Sequence, residues 1–583
     1  MYDWDLNKIY NGIESSEFKS DLKKIDTLID ELDKYSFDKP NDMALARGFF
    51  IKEQELFKLL GGIGNYLSLR LSVNTEDLEA LKAMGALENV YPRVSPVEVK
   101  FTKYIKNFDN FEELAKSDEE FKKFPYYVSK LVDEAKRALS DETEILLSKL
   151  SRSSSSAWER LFDTLTSTLE VDYNGEVISL PEVRNLAYSA DEKVRKEAYE
   201  AEIKSYRKIE KSIAASLSSI KQETTTMALE RGYESPLDRT LKQSGMTKKT
   251  LDALVGAIEE YYPYFRAYLK RKGELLGHKN GLPFYDLFAP MGKNDTKFSV
   301  EEANDYLVKA FTEFYPEIGK FMKKTMDNNA IDYMPKKGKV GGAFCSGVFK
   351  IKEPRILANF DGSFNSVCTL AHELGHGFHD ELMWPYPEIC SDYPMQLAET
   401  ASTFNETYIK DYAILNSKDK NEKINILEAM ISDDNQVIVD IMSRYYFETS
   451  VFEKSDEAAL TPEELKELMK DAQLRSYGDG LDPEFLHPYM WCCKGHYYST
   501  GLSFYNFPYA FGQLFAYGLY NLYKEKGAEE FFPLYKKVLI NAGQMPIREC
   551  VLQANIDVED INFWRKSLDI CKGHIEEFLE LTK

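Results

Sequence analysis

Residues 371–380 read AHELGHGFHD and hold three of the seven histidines in the chain, His372, His376 and His379. On a helix, residues four apart lie about 40° from one another around the axis, so His372 and His376 project together and one ion can bridge their imidazoles. Glu373 sits about 100° round from His372, close enough to reach a water on that ion without becoming a ligand itself. This is the division of labour of an HExxH site, with two imidazole ligands and a carboxylate as general base.

A catalytic zinc takes three protein ligands and keeps one position open, so a third donor must come from elsewhere. Downstream, the loop WPYPEICSDYP leads into MQLAETASTFNETYI. There Leu397, Ala401, Phe404 and Tyr408 make an apolar stripe at helical spacing, and Glu399 lies off that stripe. Two antiparallel helices would let Glu399 complete a His2Glu set, with Glu406, two turns on, orienting a ligand from behind. Asp380, four residues past His376, is a second candidate for that orienting role.

The elements that must hold these residues are mostly helical. Residues 366–383 carry a core-facing stripe of Val367, Leu370, Leu374 and Phe378. The same period runs through residues 20–34, 76–90, 191–226, 248–276 and 300–327. Two stretches break it. In residues 171–180, VDY and EVISL flank Asn174-Gly175, a pair suited to a tight hairpin turn. Residues 339–360 hold KVGGAF, GVFKI and RILANF and predict a small β element beside the HExxH helix. The expected division is an N-terminal helical region, residues 1–200, with the short hairpin, followed by a catalytic region, residues 201–583.

Hydrophobic residues make up 43% and charged residues 29% of the 583, an ordinary globular balance with no apolar run of membrane-spanning length. A formal charge of −22, from 74 basic and 96 acidic side chains, repels nucleic acid and anionic membranes, so neither is an expected partner. The first residues lack the apolar core of a signal peptide, and seven cysteines without a CxxC pair form no disulfide framework. A reducing, cytoplasmic setting is the expectation.

Taken together, TLAHELGHGFHD, LAETASTFNE and the tyrosine-rich block GHYYSTGLSFYNFPYAFG resemble the M3 family of metallopeptidases, and within it the oligoendopeptidase F branch. SSSSAWERLFDTL and GVFKIKEPRILANFDGSF extend the likeness over most of the chain from about residue 115. The resemblance implies one Zn2+ per chain held by His372, His376 and Glu399, with Glu373 as base. It also implies that His496 and a tyrosine, Tyr505 first and Tyr509 second, donate to the transition-state oxyanion.

The implied fold is mainly α, a multi-helix zincin-like ellipsoid with a deep central channel that admits short unfolded peptides. Strands around residues 341–349 would line that channel and pair with an extended substrate. The implied activity is hydrolysis of internal bonds in short oligopeptides. Two alternatives stand beside it: a metallocarboxypeptidase or dipeptidase of related helical type, which needs a group gripping a terminal carboxylate, and a non-catalytic peptide-binding protein, which has no need of Glu373.

Overall fold

The computed structural model describes residues 2–292, 297–417, 419–455 and 458–583. Helices dominate, and the sheet structure among the described residues is confined to a two-stranded hairpin and one three-stranded sheet. The hairpin pairs Glu170–Tyr173 with Glu176–Ser179 across Asn174 and Gly175, both at positive φ as such a turn demands. No described helix is long and apolar enough to cross a membrane.

The chain forms two compact units. One comprises Met1–Ala138, Asp295–Tyr412 and Leu522–Asn555; the other comprises Leu139–Asn294, Ala413–Asn521 and Ile556–Lys583. The boundary expected near residue 200 falls inside the second unit, and the HExxH segment shares its unit with the N-terminal helices.

Two of the long helical segments are each a pair of helices. Residues 300–327 divide into Val300–Phe314 and Pro316–Asp327 because proline forces the residue before it out of helical geometry, and Tyr315 is extended at φ −157° and ψ 124°. Residues 191–226 divide into Glu192–Tyr206 and Glu210–Glu230, the second helix running on to Glu230. Helix Lys248–Leu275 is continuous as expected.

In the first unit, helices Ser16–Asp33, Met43–Val73, Tyr91–Lys106 and Pro125–Arg137 enclose an aromatic core that includes Phe49, Phe50, Phe101 and Phe121. Val348, Leu357, Met383 and Cys390 belong to that same core, which anchors the sheet and the end of the HExxH helix to the N-terminal helices. The sheet has the order Ile331–Asp332, Glu353–Leu357, Phe344–Val348, so the last of these strands is an edge.

In the second unit, helix Lys248–Leu275 packs along Ile561–Leu581, and Glu210–Glu230 packs against both Ser155–Ser167 and Ile441–Ser455. A π-helical segment, Asn435–Asp440, joins Lys420–Asp434 to Ile441–Ser455.

Candidate active site

The HExxH motif lies on helix Phe364–Met383, capped by the Ser363 hydroxyl, which accepts from the Ser366 amide. Val367, Leu370, Leu374 and Phe378 are fully buried, as their period predicts. The opposite face carries His372 and His376, each only partly buried, while Glu373 between them is 6% exposed.

Glu399 is held differently from expectation. It occupies the junction between a short helix, Met395–Ala398, and the longer Thr400–Asn416, with φ −87° and ψ 5°, instead of a face of one continuous helix. The Ser402 hydroxyl donates to Glu399 Oε2 at 2.8 Å and locks the carboxylate. Two glycines let the HExxH helix sit this tightly. A Cβ on Gly375 would lie 2.5 Å from the Ala401 carbonyl oxygen, and one on Gly377 would lie 3.3 Å from Pro354 on the sheet side. Asn405 adds a tie, its side-chain amide donating to the Ala371 carbonyl at 3.2 Å.

The result is convergence. His372 Nε2 and His376 Nε2 each lie 3.3 Å from Glu399 Oε2. A tetrahedral ion with ligand bonds of about 2.0–2.1 Å has donor-to-donor edges of about 3.3 Å, so this donor set fits a divalent cation of zinc type. Without such an ion the same atoms hold a proton. Burial opposes the charge on His372, but Glu399 and Glu406 outweigh it and push the imidazole up to about 10. Glu399 is correspondingly held below the usual carboxylate range, against its burial, by the two histidines.

Of the two candidate orienting acids, the structure selects Glu406. Its Oε2 lies 3.1 Å from His372 Nδ1 and its Oε1 lies 2.6 Å from Lys410 Nζ, a relay that fixes the ring with Nε2 turned toward Glu399. The Asp380 carboxylate makes no hydrogen bond or ion pair among the described residues, and burial pushes it up to about 7. His379, third of the cluster, is a fastening: its Nε2 donates to the Leu539 carbonyl at 2.8 Å, Tyr393 stacks on the ring at 4.4 Å, and burial lowers it to about 4.

A cavity of ≈ 390 Å³ opens over His372, Glu373, His376 and Glu399, walled by Tyr393 and by Phe344, Cys345 and Gly347 of the edge strand. Sequence reading set Ser402 near Glu399 without giving it a role, held Cys345 only as part of the strands expected around residues 341–349, and missed Tyr393. Only Ser402 carried a local signal, its spacing of three from Glu399.

The edge strand presents specific groups. Ile356 and Ala358 donate toward Ala330 and Asp332, so alternation along the ladder turns Leu357, Arg355 and Glu353 toward the other neighbour, opposite Phe344, Ser346 and Val348. Cys345 and Gly347 therefore point their backbone groups outward. Gly347 O accepts from Asn65 at 3.3 Å, while Cys345 N–H and C=O make no hydrogen bond among the described residues.

Comparison with known proteins decides the family. Residues 185–570 match the profile of peptidase family M3, and residues 107–170 match that of Oligopeptidase F. The chain belongs to peptidase family M3. Oligopeptidase PepF of Bacillus subtilis is 25% identical over 596 residues, covering 100% of this chain and 88% of that protein. A Chlamydophila abortus protein assigned as a peptidase superposes with a TM-score of 0.85 at 20% identity, over 99% of this chain and 98% of that one. PZ peptidase A, solved with an inhibitor, superposes at 0.72 and 19%, over 96% and 97%. The two structures establish the fold. As an M3 member the chain is a metal-dependent oligopeptidase, a hydrolase whose substrates are peptides.

His496, Tyr505 and Tyr509 lie in the second unit, where the tyrosine-rich block brings them together. The His496 and Tyr505 rings are 6.2 Å apart, and the Tyr509 hydroxyl donates to the Tyr505 oxygen at 3.0 Å, leaving the Tyr505 proton to be given onward. Phe504, just before Tyr505, takes a left-handed φ of 54°, a strained conformation for an aromatic residue, held by packing on Phe452. Burial, and then Arg444 and Lys221, lower His496 to about 3, so the ring is neutral at physiological pH.

Proposed function

We propose that this M3 peptidase is a zinc-dependent endopeptidase of short oligopeptides, with one zinc per chain held by His372, His376 and Glu399 and with Glu373 as general base. The observation that carries the reading is the 3.3 Å approach of both imidazoles to one Glu399 oxygen, with a buried carboxylate alongside. Zinc at such a site supplies a Lewis acid that acidifies water and polarises the scissile carbonyl.

The chain's own residues do the rest. Burial raises the Glu373 carboxyl, which brings it nearer the range in which a carboxylate takes a proton from water and returns it to the leaving amine. Glu406 and Lys410 keep His372 aligned. By their likeness to the family's tyrosine-rich block, His496 and Tyr505 donate to the oxyanion, with Tyr509 supporting Tyr505.

An internal cut is favoured over end trimming by the edge strand. The Cys345 N–H and C=O can pair with the backbone of an extended chain, a grip that acts on internal amides and needs no terminal carboxylate. Seven cysteines with no disulfide between them fit a reducing, cytoplasmic setting.

The test is cleavage of an internally quenched peptide blocked at both termini, with chelator and then zinc add-back, run beside Glu373→Gln. The variant should retain zinc and lose roughly 10²- to 10⁴-fold in turnover. Uncut blocked peptide would assign end trimming, and near wild-type turnover in Glu373→Gln would remove the base.

A further inference from the structure

The second unit contains a cavity that no step of peptide hydrolysis employs. It measures ≈ 230 Å³ and is lined by Arg184, Arg195, Arg444 and Lys494 with a single carboxylate, Glu202. That is below the roughly 300–1,000 Å³ of drug-sized sites, so a ligand there is about the size of one amino acid residue.

The charges do not balance within the wall. Arg195 is satisfied by Asp286 at 2.7 Å and by the Ser189 carbonyl. Arg444 pairs with Asp440, which lies behind it on the π-helical segment, yet its Nε has no partner. Glu202 is shared by Tyr206 at 2.8 Å, His487 at 3.4 Å and Arg184 at 3.6 Å. The Lys494 carbonyl accepts from the Tyr497 amide at 3.1 Å, but its ammonium makes neither an ion pair nor a hydrogen bond among the described residues. Burial and the neighbouring Arg444 accordingly lower its ammonium below the usual lysine range.

A second observation points the same way. His487 lines the cavity at 2% exposure, and neither of its ring nitrogens has a hydrogen-bond partner, so the recess holds buried polar atoms that the protein itself leaves unsatisfied. An unpaired ammonium and a guanidinium with a spare donor in one small recess form an anion receptor. The lining also holds aromatic rings, with Phe288 against Tyr188 at 4.9 Å and Tyr285 beside Tyr199 at 5.8 Å.

We propose that this cavity binds a small organic carboxylate with an apolar or aromatic body, its carboxylate on Lys494, Arg444 and Arg184 and its body against Tyr285 and Phe288. A free N-acyl amino acid and the C-terminal residue of a short peptide share that chemistry.

The experiment is calorimetric titration of the full-length, zinc-loaded protein with N-acetylphenylalanine, N-acetylphenylalaninamide, a short peptide ending in phenylalanine, and inorganic phosphate. The acid should bind and the amide should not. Lys494→Gln and Arg184→Gln should each weaken the acid about 10- to 100-fold, the effect of losing one charge-assisted partner. Each variant is checked first by thermal melting, and either one alone suffices if the other misfolds. Peptide binding that Lys494→Gln or Arg184→Gln weakens as it weakens the acid identifies a chain end as a ligand, whereas binding of the acetylated acid with peptide heat unmoved by those variants assigns the cavity to free small molecules; both outcomes support it. Equal binding of acid and amide, phosphate matching the acid, an affinity unmoved in the variants, or no heat with any probe would overturn the proposal.

Discussion

Gly375 of the HExxH helix faces Ser402 so closely that a Cβ there would stand 2.6 Å from the Ser402 Cα. The helix bearing the two histidines and the segment bearing Glu399 are thus in backbone contact at the point where their side chains converge. Gly375→Ala must push the two apart, at about 1–3 kcal/mol for an overpacked contact. The expected outcome is weaker zinc retention in dialysis against chelator and a lowered melting temperature. A variant that keeps both would show that the contact can relax without moving Glu399.

The relay from Lys410 through Glu406 to His372 makes a graded prediction. Glu406→Gln keeps the shape but weakens the hold on Nδ1, and zinc affinity should fall about 10- to 100-fold in competition with a chelator. Asp380→Asn, which touches no imidazole, should leave the affinity near wild type. The reverse ranking would return the orienting role to Asp380.

Because the metal-free site keeps His372 protonated up to about pH 10, zinc must displace a proton. The sign follows from a folded value above the 6.5 of an ordinary imidazole. The stabilisation from this pairing in the chelated protein is complete below pH 6.5 and is lost as pH rises through 10. Zinc affinity should climb over the same interval. Titrations at pH 8 in buffers of different ionisation enthalpy should show about one proton released per zinc. No proton release would mean that the free imidazole is already neutral.

Tyr505→Phe removes the hydroxyl left free to donate, and turnover should drop by about 10²- to 10³-fold with KM little changed. Tyr509→Phe removes a supporting hydrogen bond and should cost less. Steady-state kinetics on the blocked peptide ranks the two, and a larger loss in Tyr509→Phe would exchange their roles.

Much of the site was readable because its spacing is local. His372, Glu373 and His376 lie on one turn of a helix whose buried stripe is plain in the residues, although the helix begins at Phe364, two residues before the expected Ser366. Glu399 was harder, since it sits at a junction between helices where no periodicity applies, and only the family likeness chose it among several acids. Glu406 and Asp380 look equivalent along the chain; three-dimensional reach separates them. Pro316 announced the break at residue 315, but nothing comparable marks the break at residues 207–209. Arg184, Arg444 and Lys494 are hundreds of positions apart at the extremes, so their shared cavity left no trace in the order of residues.

The unpaired N–H and C=O of Cys345 have one more consequence. A strand edge of this kind inspects amides, so side chains pass largely unread while a missing hydrogen does not. On the proposed pairing, proline or an N-methylated residue opposite Cys345 breaks that rung, and such a peptide should be cut more slowly than its counterpart with a free amide there.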